Sequence, residues 1–192
     1  MLSKVGTVDI AANRLEATSE WALGRSLATG IGSSNPSFAD AENIAHADYD
    51  PTTVGLSIVN AVSCLEQAAA DLGFGAEVML HAPMRAAAFL AEAGVMSESY
   101  YSAGGLPWII SPGYPVETDG DETTITIWAT GSVFAALGDA YLLTDGVTGA
   151  RPYGWRVNTD AAFQQRVGLA AFDPCLNLSA SFTVPACIPG GS

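Results

Sequence analysis

Residues 8–28, VDIAANRLEATSEWALGRSLA, carry an unbroken helical pattern. No proline interrupts it, and Thr29-Gly30 follows as a C-terminal stop. At 1.5 Å per residue such a helix would run roughly 30 Å. Stepping 100° per residue stacks Asp9, Asn13, Glu16 and Glu20 into one acidic stripe. Arg14 and Arg25 share a separate stripe. Two apolar bands run between the stripes: Val8, Ala11, Ala12, Leu15, Ala22 and Leu23 in one, and Ile10, Ala17, Trp21 and Ala28 in the other. A surface helix of a monomer ordinarily has a single apolar band. Two bands suit a helix touched from more than one side. That leaves two readings open: burial within its own domain with charged edges showing, or contact with another subunit.

The remainder of the chain constrains the choice. With 192 residues it can bury a real core as one domain, or as one domain with a projecting part. Charged residues are only 14% of the chain, against about 25% in ordinary soluble domains. Less charge means less solvated surface, which favours burial against partners. The net charge is −13 and Lys4 is the single lysine, so there is no basic footprint for reading nucleic acid. The same acidity would repel anionic lipid. No run of 18 apolar residues occurs, and MLSKVGTVD lacks the apolar core of a signal peptide. Cys64, Cys175 and Cys187 are an odd count without metal-ligand spacing. They read as reduced, small apolar side chains in a cytosolic compartment.

Residues 30–50 read as a long loop, punctuated by Gly, Ser, Asn-Pro and Asp. Asp50-Pro51 opens a second helix, with Val54, Ile58, Ala61, Leu65, Ala68 and Leu72 on one face up to Gly73. A short strand is expected over 75–82, and a third helix from Pro83 to Gly94. Residues 106–111 read as a strand, 116–122 as a turn, and 123–130 as a strand of period two. Extended chain continues through 132–143, with a turn at Gly138-Asp139. Two closing strands, 160–172 and 175–184, are joined by Asp173-Pro174. Helices come first and strands later, which is an α+β order.

Chemistry-bearing patterns are sparse. The chain has no phosphate-binding glycine loop, no H-E-x-x-H and no G-x-S-x-G. His81 could pair with Cys64 as a thiol–imidazole couple, but a packed, hydrogen-bonded histidine is the plainer reading. His46 is expected in a loop, solvated. Asp119, Asp121 and Glu122 are too closely spaced for a calcium loop and read as a solvated hairpin turn. Trp108, Tyr114, Trp128, Phe134 and Tyr141 could line a pocket but are more simply core.

The order of these segments resembles a known family. NRLEATSEWALGRSLATG is similar to the end of a spine helix. LSIVNAVSCLEQAAADLGFGAEVMLHAPMRAAAFLAEAGVM is similar to an axial-domain helix, strand and helix. LPWIISPGYP resembles a short following strand, TTITIWATGSVFAALGDAYLL the paired strands, and DAAFQQRVGLAAFDPCLNLSASFTVPA the closing strands. The family is the tailed-phage major capsid proteins of the Hong Kong 97 type, here in an actinobacteriophage-like version. Its fold is shared with the encapsulin shells.

The resemblance implies an α+β capsid fold: a peripheral domain from residues 1–50 and 146–192, with spine helix and closing strands, and an axial domain from 51–145. It implies a structural subunit that self-assembles through pentamers and hexamers into an icosahedral head enclosing DNA, located in the virion and assembled in the host cytoplasm. The implied partners are copies of itself and other capsid or decoration proteins. Packaged DNA would be met only non-specifically, and no membrane is involved. No catalytic residue, cofactor or metal is implied. Under this reading the helix is a subunit contact, with Arg14, Glu16, Glu20, Trp21 and Arg25 as the contact residues. The alternatives are an encapsulin-like compartment around a cargo enzyme, and a cytosolic thiol or hydrolytic enzyme using Cys64 and His81. The chain departs from the family pattern before the helix: only seven residues precede Val8, where the family carries an arm and an extended loop. Either the chain is a fragment or a short form, or those contacts come from elsewhere; no isopeptide crosslink is expected, since Lys4 is the only lysine.

Overall fold

The computed structural model describes residues 18–30, 37–47, 54–73, 77–137, 141–143, 163–165 and 168–186. They form a mixed α+β structure. Helix α1 covers the helical residues 18–29. A 3-10 turn, Phe38–Asp40, leads into β1 (Glu42–Ala47). Then come α2 (Val54–Asp71), β2 (Met79–Pro83), α3 (Ala86–Glu92) and β3 (Trp108–Ser111). The hairpin of β4 (Glu117–Asp119) and β5 (Glu122–Thr130) follows. After it run β6 (Val133–Leu137), β7 (Tyr141–Leu143), β8 (Phe163–Gln165), β9 (Gly168–Phe172) and β10 (Asn177–Pro185).

The main sheet has the order β1-β10-β5-β2-β3, with β4 also pairing β5. Its centre is antiparallel, with β10 matched to β5 from Asn177↔Thr130 to Pro185↔Glu122. Its flanks are parallel: β1 beside β10 and β2 beside β3. The sheet thus joins β1 and β10, from the segments expected as peripheral, to strands from 51–145. Away from it, β6 pairs β9 and β7 pairs β8, each antiparallel.

Period-two alternation sorts the sheet into two faces. Ile125, Ile127 and Ala129 of β5, with Leu178, Ala180, Phe182 and Val184 of β10, face the main core. Helix α2 supplies Ile58, Ala61, Val62, Leu65 and Ala69 to that core, a spacing of three and four residues that makes one stripe. Each such fully buried aliphatic side chain contributes ~1.5–3 kcal/mol relative to exposure. Leu72 falls outside the stripe and is exposed. It lies beyond the last helical residue, where Gly73 takes a left-handed φ of 82° and the chain turns away.

On the opposite face a smaller aromatic core gathers Ala28, Phe38, Tyr114 and Trp128, with Leu27, Ala41 and Phe172 packed against it. Phe38 sits at its centre, with ring centroids 4.8 Å from His81, 5.7 Å from Tyr114 and Trp128, and 5.1 Å from Phe172. Its turn is held by Asp40 Oδ2, which accepts from the Ser37 backbone N–H at 2.8 Å and from Ser37 Oγ at 3.1 Å.

The expected loop over 30–50 is therefore corrected at 38–47. ENIAHA has little strand propensity of its own, and its register shifts between Asn43 and Ala45. It is a strand because β10 offers it a ladder, a partner invisible in local pattern. The helix opening at Asp50-Pro51 and the turn at Gly138-Asp139 lie outside the described residues. Pro83 closes β2 and does not begin α3. The expected turn over 116–122 holds a short strand, β4, and turns at Gly120, which has φ 57°. Among the described residues no helix is long and apolar enough to cross a membrane.

Candidate intersubunit surface

Helix α1 is mounted on the body by small residues. A Cβ built on Gly24 would overlap Ser111 Oγ and come within 3.4 Å of the Gly113 Cα. A Cβ on Gly113 would overlap the Trp21 carbonyl oxygen and stand 2.6 Å from the Arg25 nitrogen. The two glycines thus let the helix backbone rest directly on the turn that follows β3. One turn further along α1, Ala28 is buried against the aromatic core. The helix ends as its sequence dictates: Gly30 has φ 67° and donates to Ser26 O at 2.9 Å, and Thr29 Oγ1 donates to Arg25 O at 2.8 Å.

This seating decides which side chains face outward. Close approach at Gly24 leaves no space for large side chains in the contact, so Trp21 stays at its rim, 49% exposed. Glu20 and Ala22 are exposed, and Arg25 is half-buried. Two equally buried apolar bands do not occur over 18–29: Ala28 is buried, whereas Ala22 and Trp21, one from each expected band, are exposed. Of the five expected contact residues, Glu20, Trp21 and Arg25 fall within two adjacent turns of α1. Arg14 and Glu16 lie outside the described residues.

Beneath the mounting turn lies a directed hydrogen-bond chain. Thr130 Oγ1 donates to Gly131 O at 2.9 Å, so it accepts from His81 Nε2–H, also at 2.9 Å. The remaining ring nitrogen, Nδ1, is then the acceptor for the Tyr114 hydroxyl at 2.9 Å. Backbone and side chain pin the mount as well: Gly113 N–H donates to Ser111 Oγ at 3.2 Å. His81 has no solvent exposure, and burial alone pushes its pKa down to about 3. Burial pushes the Tyr114 hydroxyl up, out of the range of ordinary titration. The imidazole is therefore neutral and fully engaged, and it ties β2, the end of β5 and the turn under α1 together.

That network accounts for His81 without Cys64. Cys64 is exposed on α2, so the alternative thiol–imidazole pair is not assembled, and the plainer reading of His81 as a packed, hydrogen-bonded histidine is the one observed. Cys175 is also exposed and unbridged; its thiol is pushed up by a hydrogen bond to Asp173 and by that carboxylate's charge. Cys64 and Cys175 are thus free and exposed, and Cys187 lies outside the described residues. His46 stands on β1 rather than in a loop, its Nδ1 2.6 Å from Ser181 Oγ. Asp119, Asp121 and Glu122 surround the β4–β5 turn and are exposed. Trp108, Tyr114 and Trp128 are buried, but Phe134 is 60% exposed, and the Tyr141 side chain is outside the described residues.

Phe38, Gly24 and Gly113 carry no mark in the sequence of the roles they take in the fold. A lone Phe in a polar stretch and a Pro-Gly after a strand are ordinary loop signals. A close backbone crossing leaves no local pattern. No protein-family model matches the chain, and no curated protein matches it either.

Proposed function

We propose that this chain is a structural shell subunit, a tailed-phage major capsid protein of the Hong Kong 97 type, working by self-association. The observation that carries the reading is the mounting of α1. A helix is held rigidly on glycine contacts, over a buried hydrogen-bond chain, while Glu20 and Trp21 are turned to solvent. Such a side chain set, rigidly presented and half apolar, suits lateral packing against a neighbour. The succession of elements also supports it. A helix, a helix–strand–helix, a short strand, paired strands and a closing strand follow in the order that the resemblance implies. In a shell each contact can be weak, because every subunit makes several at once.

The test is electron microscopy of the concentrated, purified full chain, paired with light-scattering mass. Closed shells, or rings of five or six subunits, are the expected result. A monomer at every concentration would overturn the proposal.

A further inference from the structure

The turn between α3 and β3 is strained at a side chain that the core does not use. Tyr100 has φ 60°, in the left-handed region, and is the only non-glycine residue there among the described residues. A bulky residue is disfavoured in that region and persists only where its surroundings over-determine it. Here they do. Tyr100 N–H donates to Ser97 O at 2.9 Å, and Tyr100 O accepts from Trp108 N–H at 2.8 Å. Tyr101 N–H donates to Ser97 Oγ at 3.0 Å, and Tyr101 O accepts from Ser97 N–H at 2.8 Å. Every backbone polar group of the pair is thus fixed. Trp108 is buried and anchors the turn, its Nε1–H donating to Val95 O at 3.3 Å. The two phenol side chains held in this way stand in solvent, Tyr100 55% and Tyr101 50% exposed. Glycine at position 100 would make the same turn without strain. The fold alone therefore does not call for a tyrosine there.

Next to the pair lies a carboxylate short of a donor. Ser102 N–H donates to Leu106 O at 2.8 Å and Leu106 N–H to Ser102 Oγ at 3.1 Å, which puts Gly104 at the tip of a closed loop. A Cβ built on Gly104 would stand 2.9 Å from Glu66 Oε1, so the carboxylate of Glu66, on α2, lies against the glycine backbone. That oxygen is buried and has no hydrogen-bond partner. A carboxylate can only accept, and a buried acceptor left unpaired is costly. Tyr101 is three residues from Gly104, a backbone span of at most about 11 Å. The described arginines are Arg25, on α1, and Arg85, whose Nη2 donates to Pro185 O; neither supplies Glu66 Oε1 with a donor. Glu98, also exposed, adds negative charge two residues before Tyr100. Electron-rich ring faces beside an acceptor without a donor match a guanidinium, which stacks on aromatic rings and donates to carboxylates. The net charge of −13 favours a partner of the same positive sign. We propose that the Tyr100–Tyr101 turn and Glu66 form a docking site for an arginine side chain on a basic segment of a different protein. The site does not depend on the shell reading, because binding can be measured on a monomer or a particle alike.

The experiment follows the fluorescence anisotropy of a labelled peptide, arginines spaced by neutral residues, as the full chain is added. A matched peptide carries citrulline in place of arginine, with the same shape and no charge. The arginine peptide should bind saturably, and the citrulline peptide at least about tenfold more weakly. Glu66→Gln and Tyr100→Gly should each weaken arginine-peptide binding at least about fivefold. Glu117→Gln removes one charge at an exposed position on β4 and should bind like the wild type. Tyr100→Gly should also unfold in urea at or above the wild-type midpoint, because it releases the left-handed strain, whereas loss of a residue that served only the fold would lower it. The inference is overturned if the wild type shows no saturable binding, if the citrulline peptide binds equally, or if Tyr100→Gly binds as tightly as the wild type. It is overturned as well if Glu117→Gln weakens binding as much as Glu66→Gln, which would mark general attraction to an acidic chain. A lower light-scattering mass for Tyr100→Gly without peptide would make the turn a contact between copies, and would overturn it too.

Discussion

His81 is fully buried with both ring nitrogens hydrogen-bonded. Its neutral ring is required by a fixed donor order, Tyr114 to Nδ1 and Nε2 to Thr130, in a site closed to water. The sign of the pH effect follows. Above pH 6.5 the ring is neutral in folded and unfolded chains alike, and contributes no pH dependence. Below it the unfolded chain takes up a proton that the folded chain refuses down to about pH 3, so stability falls with pH across that window. The slope from this one group reaches at most ~1.4 kcal/mol per pH unit. His81→Gln removes the pH-dependent loss and costs on the order of 2–3 kcal/mol near neutrality, by breaking the buried chain. Its deficit against wild type in urea unfolding should shrink between pH 7 and pH 4. Thr183 makes a contrasting case. It is buried, and its Oγ1 has no hydrogen-bond partner. Thr183→Val keeps the branched shape and strand preference while removing an unpaired hydroxyl. It should raise stability by about 1 kcal/mol, read as a higher urea midpoint at unchanged slope.

At the scale of elements, the contact between α1 and the turn after β3 shows how two glycines differ in what they tolerate. An added methyl at Gly24 meets the end of the Ser111 side chain, which can rotate away. At Gly113 it meets the carbonyl and nitrogen of the helix backbone, which cannot yield without moving α1. Gly113→Ala should therefore cost about 1–3 kcal/mol and shift the Trp21 emission, with Gly24→Ala costing less. Fluorescence-monitored unfolding of the two variants measures the difference. Element type was largely legible along the chain. The stripe of α2, the alternation of β5 and the Pro and Gly punctuation around α3 and β3 are local patterns, and local patterns survive folding. β1 was not legible, because its strand identity is conferred by β10 from the far end of the chain. The candidate surface was legible only in part. Glu20 and Trp21 do reach solvent, but the small-residue mount that turns them outward has no period to detect.

For the whole molecule, the decisive quantity is a net charge of −13 set against an apolar content of 49%. The first keeps copies apart, and the second favours bringing surfaces together. Assembly then depends on places where the balance tips, α1 being the one proposed. Reversing charge with Glu20→Lys on α1 and Arg14→Glu in the sequence before it holds net charge constant, so a change in assembly reports the contact and not overall repulsion. The expected outcome is an unchanged circular dichroism spectrum with reduced light-scattering mass; equal mass would count against α1 as a contact. Composition and periodicity by themselves determined the α+β class, most helix and strand positions, and the absence of a basic nucleic-acid footprint, since each follows from residue type and spacing along the chain. Only the tertiary structure decided that His81 is sealed in a hydrogen-bond chain, that Phe38 centres a second core, that α1 lies on glycines and that Phe134 is left in solvent. Those depend on which distant segments share a sheet or a crossing, and burial is a property of the packed chain rather than of any stretch within it.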